Sequence, residues 1–199
     1  MSKDETLPRD AVALREKYVR LFEPKAYLSD LLTFHYKWVK ITLDYLHETF
    51  SKGRNISEGA SEIADRTASA VRRIIPCDVL RDPMFSTKQG TFDCIVTSLC
   101  LEAAATDVTS YADAVCRVVG HLRTGGTLVM MGVLGCDSYA AGGLELPCLS
   151  LTTDDVLEAV RRSGLTDCRW KFVNKWPGLD DDVNGNGWTG AFMLRALKG

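Results

Sequence analysis

Cysteine occurs seven times in the chain but never in a ligand pattern: positions 77, 94, 100, 116, 136, 148 and 168 stand singly, with no CxxC pair and no Cys/His spacing. That argues against a zinc site and against a disulfide framework, and leaves buried free thiols in a reducing compartment as the expectation. His35, His47 and His121 are isolated too, without neighbours that would make them ligands or triad members. No apolar run reaches the length that crosses a bilayer, and Met1-Ser-Lys-Asp-Glu5 offers no apolar signal region. A net charge of -2 and a pI near 5.9 leave no basic footprint for nucleic acid. The expectation is a cytoplasmic monomer with neither membrane nor nucleic-acid partners.

What is present suffices for one core: 199 residues with 46% hydrophobic content. The stretch Gly90–Leu134 organises it. Thr91–Leu101 is an apolar, β-branched run that suits a central strand covered on both faces and stops at Glu102. From Asp107 to Arg123, Val108, Tyr111, Ala112, Val115, Val118, Val119 and Leu122 mark one face of a helix, which Thr124-Gly-Gly is expected to end. Thr127–Met131 follows as a second buried strand, completing a parallel strand–helix–strand unit. Ligands of such sheets sit beyond the carboxyl ends of the strands, here Ser98–Glu102 and Gly132–Tyr139.

Elsewhere, residues 9–32 suggest two helices broken at Glu23-Pro24, and Val39-Lys-Ile-Thr-Leu43 alternates like a strand with Asp44 at its carboxyl end. Asp44 is placed either to hold a ribose or to cap a helix over Tyr45–Ser51. Ser61–Arg73 reads as a helix, Ile74–Val79 as a brief edge strand, and Gly135–Pro147 as a glycine-rich functional loop. Thr152-Thr-Asp-Asp starts another helix. Thr166–Asn174 and Trp188–Leu197 then read as strands of an antiparallel hairpin, joined by a polar turn that carries Asp180-Asp-Asp182. A mostly parallel α/β sheet ending in such a hairpin is the outline of the class I, Rossmann-like methyltransferases.

Four runs sharpen the match: Leu21-Phe-Glu-Pro-Lys-Ala-Tyr27-Leu, Cys77-Asp-Val79, Ser98-Leu-Cys-Leu-Glu-Ala-Ala104 and Gly132-Val-Leu followed by Ser138-Tyr-Ala-Ala-Gly142. In this order they resemble the nicotinamide, phenylethanolamine and indolethylamine N-methyltransferases. The resemblance implies S-adenosylmethionine as cofactor and a small amine or N-heterocycle as acceptor. It implies that Tyr27 lies over the cofactor, Asp44 holds its ribose, Asp78 and Val79 bind the adenine edge, and Ser98 and Leu99 contact it from the end of the strand. It implies further that Glu102 faces the amine and that Tyr139 lines the substrate pocket. Glu102 as a cap of the following segment, and Tyr139 as ordinary packing, are the alternatives.

The chain also departs from that family. Between Tyr27 and Asp44 there is no glycine, so the family's Gly-x-Gly loop and the first strand–helix unit are missing, a gap on the order of 30 residues. The expected organisation is therefore a helical cap over residues 1–36 and a shortened core over 37–199. Nicotinamide-type relatives carry an acid at Gly132 and a serine at Cys148, which argues against nicotinamide as substrate. The phenylethanolamine type carries a glutamate at Cys136, a role that Asp137, one position on, is able to take if the loop adjusts. Two readings result: an S-adenosylmethionine-dependent N-methyltransferase, or alternatively a catalytically impaired truncated relative. A nicotinamide-dinucleotide oxidoreductase needs the same kind of glycine loop and has no positive support.

Overall fold

The computed structural model describes residues 69–141, 144–173 and 188–199. The expectations for Tyr27, Asp44, the N-terminal helices and Asp180–Asp182 lie outside these residues. The chain divides into two units, Met1–Ile75 and Pro76–Gly199. Of the first, residues 69–70 are helical and 71–75 have no regular structure.

The second unit runs β1 (Phe92–Ser98), α1 (Leu101–Ala104), α2 (Val108–Gly120), β2 (Leu122–Leu134), β3 (Ser138–Ala141), β4 (Leu144–Pro147), α3 (Thr153–Arg162), β5 (Leu165–Val173) and β6 (Gly190–Lys198). Four strands form one sheet in the order β1-β2-β6-β5, and β3 and β4 form a separate two-stranded sheet. β1 and β2 are parallel, while β6 is antiparallel to both of its neighbours. The strand–helix–strand unit and the closing antiparallel pair are thus as the sequence implied, and the fold is α/β with a mixed, Rossmann-like sheet.

α2 forms where the periodicity placed it. Asp107 caps it, its carboxylate accepting the Ser110 N–H at 2.7 Å while Ser110 Oγ accepts the Asp107 N–H at 3.1 Å. Tyr111, Ala112, Ala114, Val115, Val118 and Val119 are buried. They share a core with Leu128 and Met130 of β2, with Val156 and Val160 of α3, and with Phe192, Leu194 and Ala196 of β6. The register accounts for the shared face, because Leu128, Met130 and Gly132 stand opposite Ala196, Leu194 and Phe192. Each fully buried Leu or Val contributes roughly 1.5–3 kcal/mol.

Four expectations are corrected. First, α2 is not ended by glycine: it stops at His121, in ordinary right-handed geometry, and the chain enters β2 at once. Gly125 and Gly126 instead serve a register shift between the pairs Phe92↔Leu122 and Cys94↔Thr127, where a Cβ on Gly126 would stand 3.2 Å from the carbonyl oxygens of Phe92 and Asp93. Second, among the described residues β1 is not covered on both faces. Val96 is 63% exposed, and among the described residues β1 pairs only with β2, so the strands paired on both sides are β2 and β6. Third, Ile74–Val79 is no strand: Cys77 makes a single bridge to Phe85. Fourth, Gly135–Pro147 is not an irregular loop but carries the β3–β4 hairpin.

Candidate active site

β1 ends at Ser98, and Leu99 turns the chain with a φ of 51°, a left-handed conformation that is costly for a branched side chain and found preferentially at functional sites. Its N–H still donates to the Met131 carbonyl at 3.1 Å, continuing the ladder for one residue. The short helix α1 then carries Glu102 back against β2.

Along β2 every second residue faces β1, so the Val133 N–H points to the side on which β1 has already ended. Glu102 fills that place, with Oε1 accepting the Val133 N–H at 3.2 Å. The Glu102 carbonyl accepts the Leu149 N–H at 2.9 Å, which ties α1 to the segment after β4. Glu102 is 3% exposed, the one buried charged residue among the described residues. Burial pushes its carboxyl up from 4.5 to about 7, an effect held back by hydrogen bonds from its own backbone and from Val133. Glu102 is not an N-cap, because that position belongs to Cys100.

Gly132 makes this arrangement possible. A Cβ there would stand 2.9 Å from Glu102 Oε1 and 2.7 Å from the Phe192 ring. Tyr111 closes the site from α2: it is fully buried, its hydroxyl donates to Met130 Sδ at 3.8 Å, and burial together with the Glu102 charge raises its phenol. Sequence reasoning treated Tyr111 as helix packing and missed the parts played by Gly132 and Val133. The only available signal for Tyr111 was a hydroxyl on an otherwise aliphatic face.

Of the two expected substrate residues, Tyr139 is on β3 and Asp137 immediately precedes that strand. Tyr139 is half-buried opposite Leu146, while Asp137 is exposed and its backbone carbonyl accepts the Cys148 N–H at 2.8 Å. Asp78 and Val79 lie in a turn. The Asp78 carboxylate accepts the Leu80 N–H at 3.2 Å and pairs with Arg81 at 3.1 Å, and the Val79 carbonyl accepts from Arg117 of α2 at 3.1 Å. All seven cysteines are free, but only Cys136 is buried, against the expectation of generally buried thiols. Among the described residues no group of three His, Cys, Asp or Glu is able to hold a metal, and no helix is long and apolar enough to cross a membrane.

Glu102, Gly132 and Val133 fall within residues 35–176, the segment that matches the model of the NNMT/PNMT/TEMT family. Human nicotinamide N-methyltransferase is 31% identical over 106 residues, which make up 53% of this chain and 40% of that protein. Phenylethanolamine N-methyltransferase from Sus scrofa is 32% identical over 118 residues, 57% of this chain and 40% of that one. Indolethylamine N-methyltransferase from Oryctolagus cuniculus is 31% identical over 104 residues, with coverages of 52% and 40%. The chain thus spans about 40% of the length of the curated relatives it matches. Among solved structures, the N-methyltransferase NodS from Bradyrhizobium japonicum in complex with S-adenosyl-l-homocysteine shows 17% identity and a TM-score of 0.44, over 69% of this chain and 60% of that one. Three of the four sequence runs fall within the matched segment, the Leu21–Leu28 run lying before it, and the chain belongs to the NNMT/PNMT/TEMT family.

Proposed function

We propose that the protein is an S-adenosylmethionine-dependent N-methyltransferase acting on a small amine or N-heterocycle. The observation that carries this reading is the buried Glu102 carboxyl, titrating near neutrality beyond the carboxyl end of β1 and against the end of the parallel strand β2, within the family-matched segment. Family membership supplies the cofactor, and the donor set fits it. Asp78 offers an acceptor for an exocyclic amine, Val79 an apolar neighbour, and Ser98 and Leu99 a backbone turned out of the strand by the positive φ of Leu99. Tyr27 and Asp44 complete that set in the reading from sequence.

When bound, S-adenosylmethionine supplies an electrophilic methyl carbon on a sulfonium. The chain's own task is to present a neutral nitrogen at near-attack distance and to remove its proton. Glu102 suits both parts. As a carboxylate in a poorly solvated place it orients an ammonium strongly, and with its titration near 7 it takes a proton at neutral pH and gives it up again. Tyr139 and the exposed Asp137 flank the entrance and hold the remainder of the amine. Gly132, where nicotinamide-type relatives carry an acid, directs the site away from nicotinamide. In this reading the protein works as a cytoplasmic monomer on a free small molecule.

Incubation with methyl-labelled S-adenosylmethionine and a panel of small amines and N-heterocycles tests the proposal. Label should pass to at least one acceptor, and Glu102→Gln should slow that transfer by about 100-fold or more. An unchanged rate in the variant would remove Glu102 from the chemistry. One feature of the sequence favours the alternative of an impaired relative: residues 27–44 contain no glycine to approach a cofactor. Failure to bind S-adenosylhomocysteine would select that alternative.

A further inference from the structure

Cys136 and Cys148 flank the β3–β4 hairpin at its base: Cys148 directly follows Pro147 of the terminal register pair Ser138↔Pro147, and Cys136 stands two residues before Ser138. The backbone holds them together there. Cys148 N–H donates to the Asp137 carbonyl at 2.8 Å, so the pairing continues one step past the hairpin and sets Cys148 beside the residue next to Cys136. The Cys136 thiol turns towards the hairpin, within 2.9 Å of the Ser138 carbonyl, and the Cys148 thiol shares a hydrogen bond with the Cys136 sulfur. We propose that Cys136 and Cys148 are a peroxide-sensitive thiol pair that closes a disulfide across the base of this hairpin.

The chemistry needs a hydroperoxide as its only co-reactant. The Cys136 sulfur attacks the terminal oxygen and the O–O bond breaks. The alcohol, or water when the oxidant is hydrogen peroxide, leaves with the proton, and Cys136 becomes a sulfenic acid. The Cys148 sulfur then attacks the Cys136 sulfur, forming the S–S bond and releasing water. Two thiols are oxidised by two electrons, and one peroxide is reduced. The hydrogen bond from Cys148 favours this order, since it stabilises a thiolate at Cys136 and keeps the proton on Cys148. The bridge fixes the base of the hairpin that carries Tyr139. It also removes two ionisable thiols that feel the Glu102 charge.

The full chain, treated with hydrogen peroxide, quenched by alkylation in denaturant and mapped by mass spectrometry, tests the pair. A Cys136–Cys148 bridge should appear first among the seven cysteines and be reversed by dithiothreitol. It should form on the order of tenfold faster in folded protein than in protein unfolded before treatment. Cys136→Ser and Cys148→Ser should each abolish it, while Cys116→Ser should leave it intact. Three results would each overturn the proposal: both thiols still alkylatable when other cysteines have reacted, a Cys77–Cys100 bridge forming first, or equal rates in folded and unfolded chains. The comparison of folded with unfolded wild-type protein decides the matter even where a serine variant fails to fold.

Discussion

Glu102 concentrates both the cost and the use of the site in one side chain. Unfolded, it titrates near 4.5; folded, near 7; so between those values the native state binds more protons than the unfolded one. Its contribution to stability is therefore fully retained below 4.5, declines as pH rises, and above about 7 is lost, at a cost of about 3 kcal/mol. Glu102→Gln keeps an acceptor for Val133 and carries no charge. Urea denaturation at pH 5 and pH 8 should show wild type losing up to about 3 kcal/mol relative to the variant at the higher pH. A constant difference between the two proteins at both pH values would mean that water reaches the carboxylate. The sequence placed Glu102 at the end of a strand, but its burial was hidden. Burial comes from Gly132 and Val133, some thirty positions along the chain, and depends on β1 ending opposite Met131, three residues before the end of β2.

At the scale of elements, the features set by local chemistry were legible and those set by distant partners were not. α2 and α3 announce themselves by apolar spacing and by caps: Asp107 with Ser110, and Thr152 with Asp155, whose Oδ2 accepts the Thr152 N–H at 2.8 Å. Asp107→Ala should cost about 1 kcal/mol in urea unfolding. A loss below a few tenths would mean that packing around Tyr111, not the capping box, holds the first turn. The β3–β4 hairpin escaped notice because Gly135, Gly142 and Gly143 read as loop-forming. Likewise Gly125 and Gly126 read as a helix stop, when the positive φ of Gly125 and backbone crowding of Gly126 against Phe92, Asp93 and Arg123 are what call for glycine there. β1 reads as a buried central strand from its β-branched content, yet Val96 is 63% exposed, because a strand's burial is set by what packs on its faces and composition carries no such information.

At the scale of the whole molecule, the order β1-β2-β6-β5 gathers the end of the parallel pair, α1 and the hairpin around one buried carboxylate. The family words in the sequence were sufficient to name the family, because they cover the ends of β1 and β2 where ligands of such sheets bind. They were not sufficient to find Tyr111 or the Cys136–Cys148 pair, which become neighbours of the site only when α2 and the hairpin pack on it. The central claim is that this chain holds the cofactor of its family. Calorimetric titration of the folded protein with S-adenosylhomocysteine tests it most directly. The account predicts saturable one-to-one binding in the micromolar range, and no detectable heat up to millimolar ligand would contradict it.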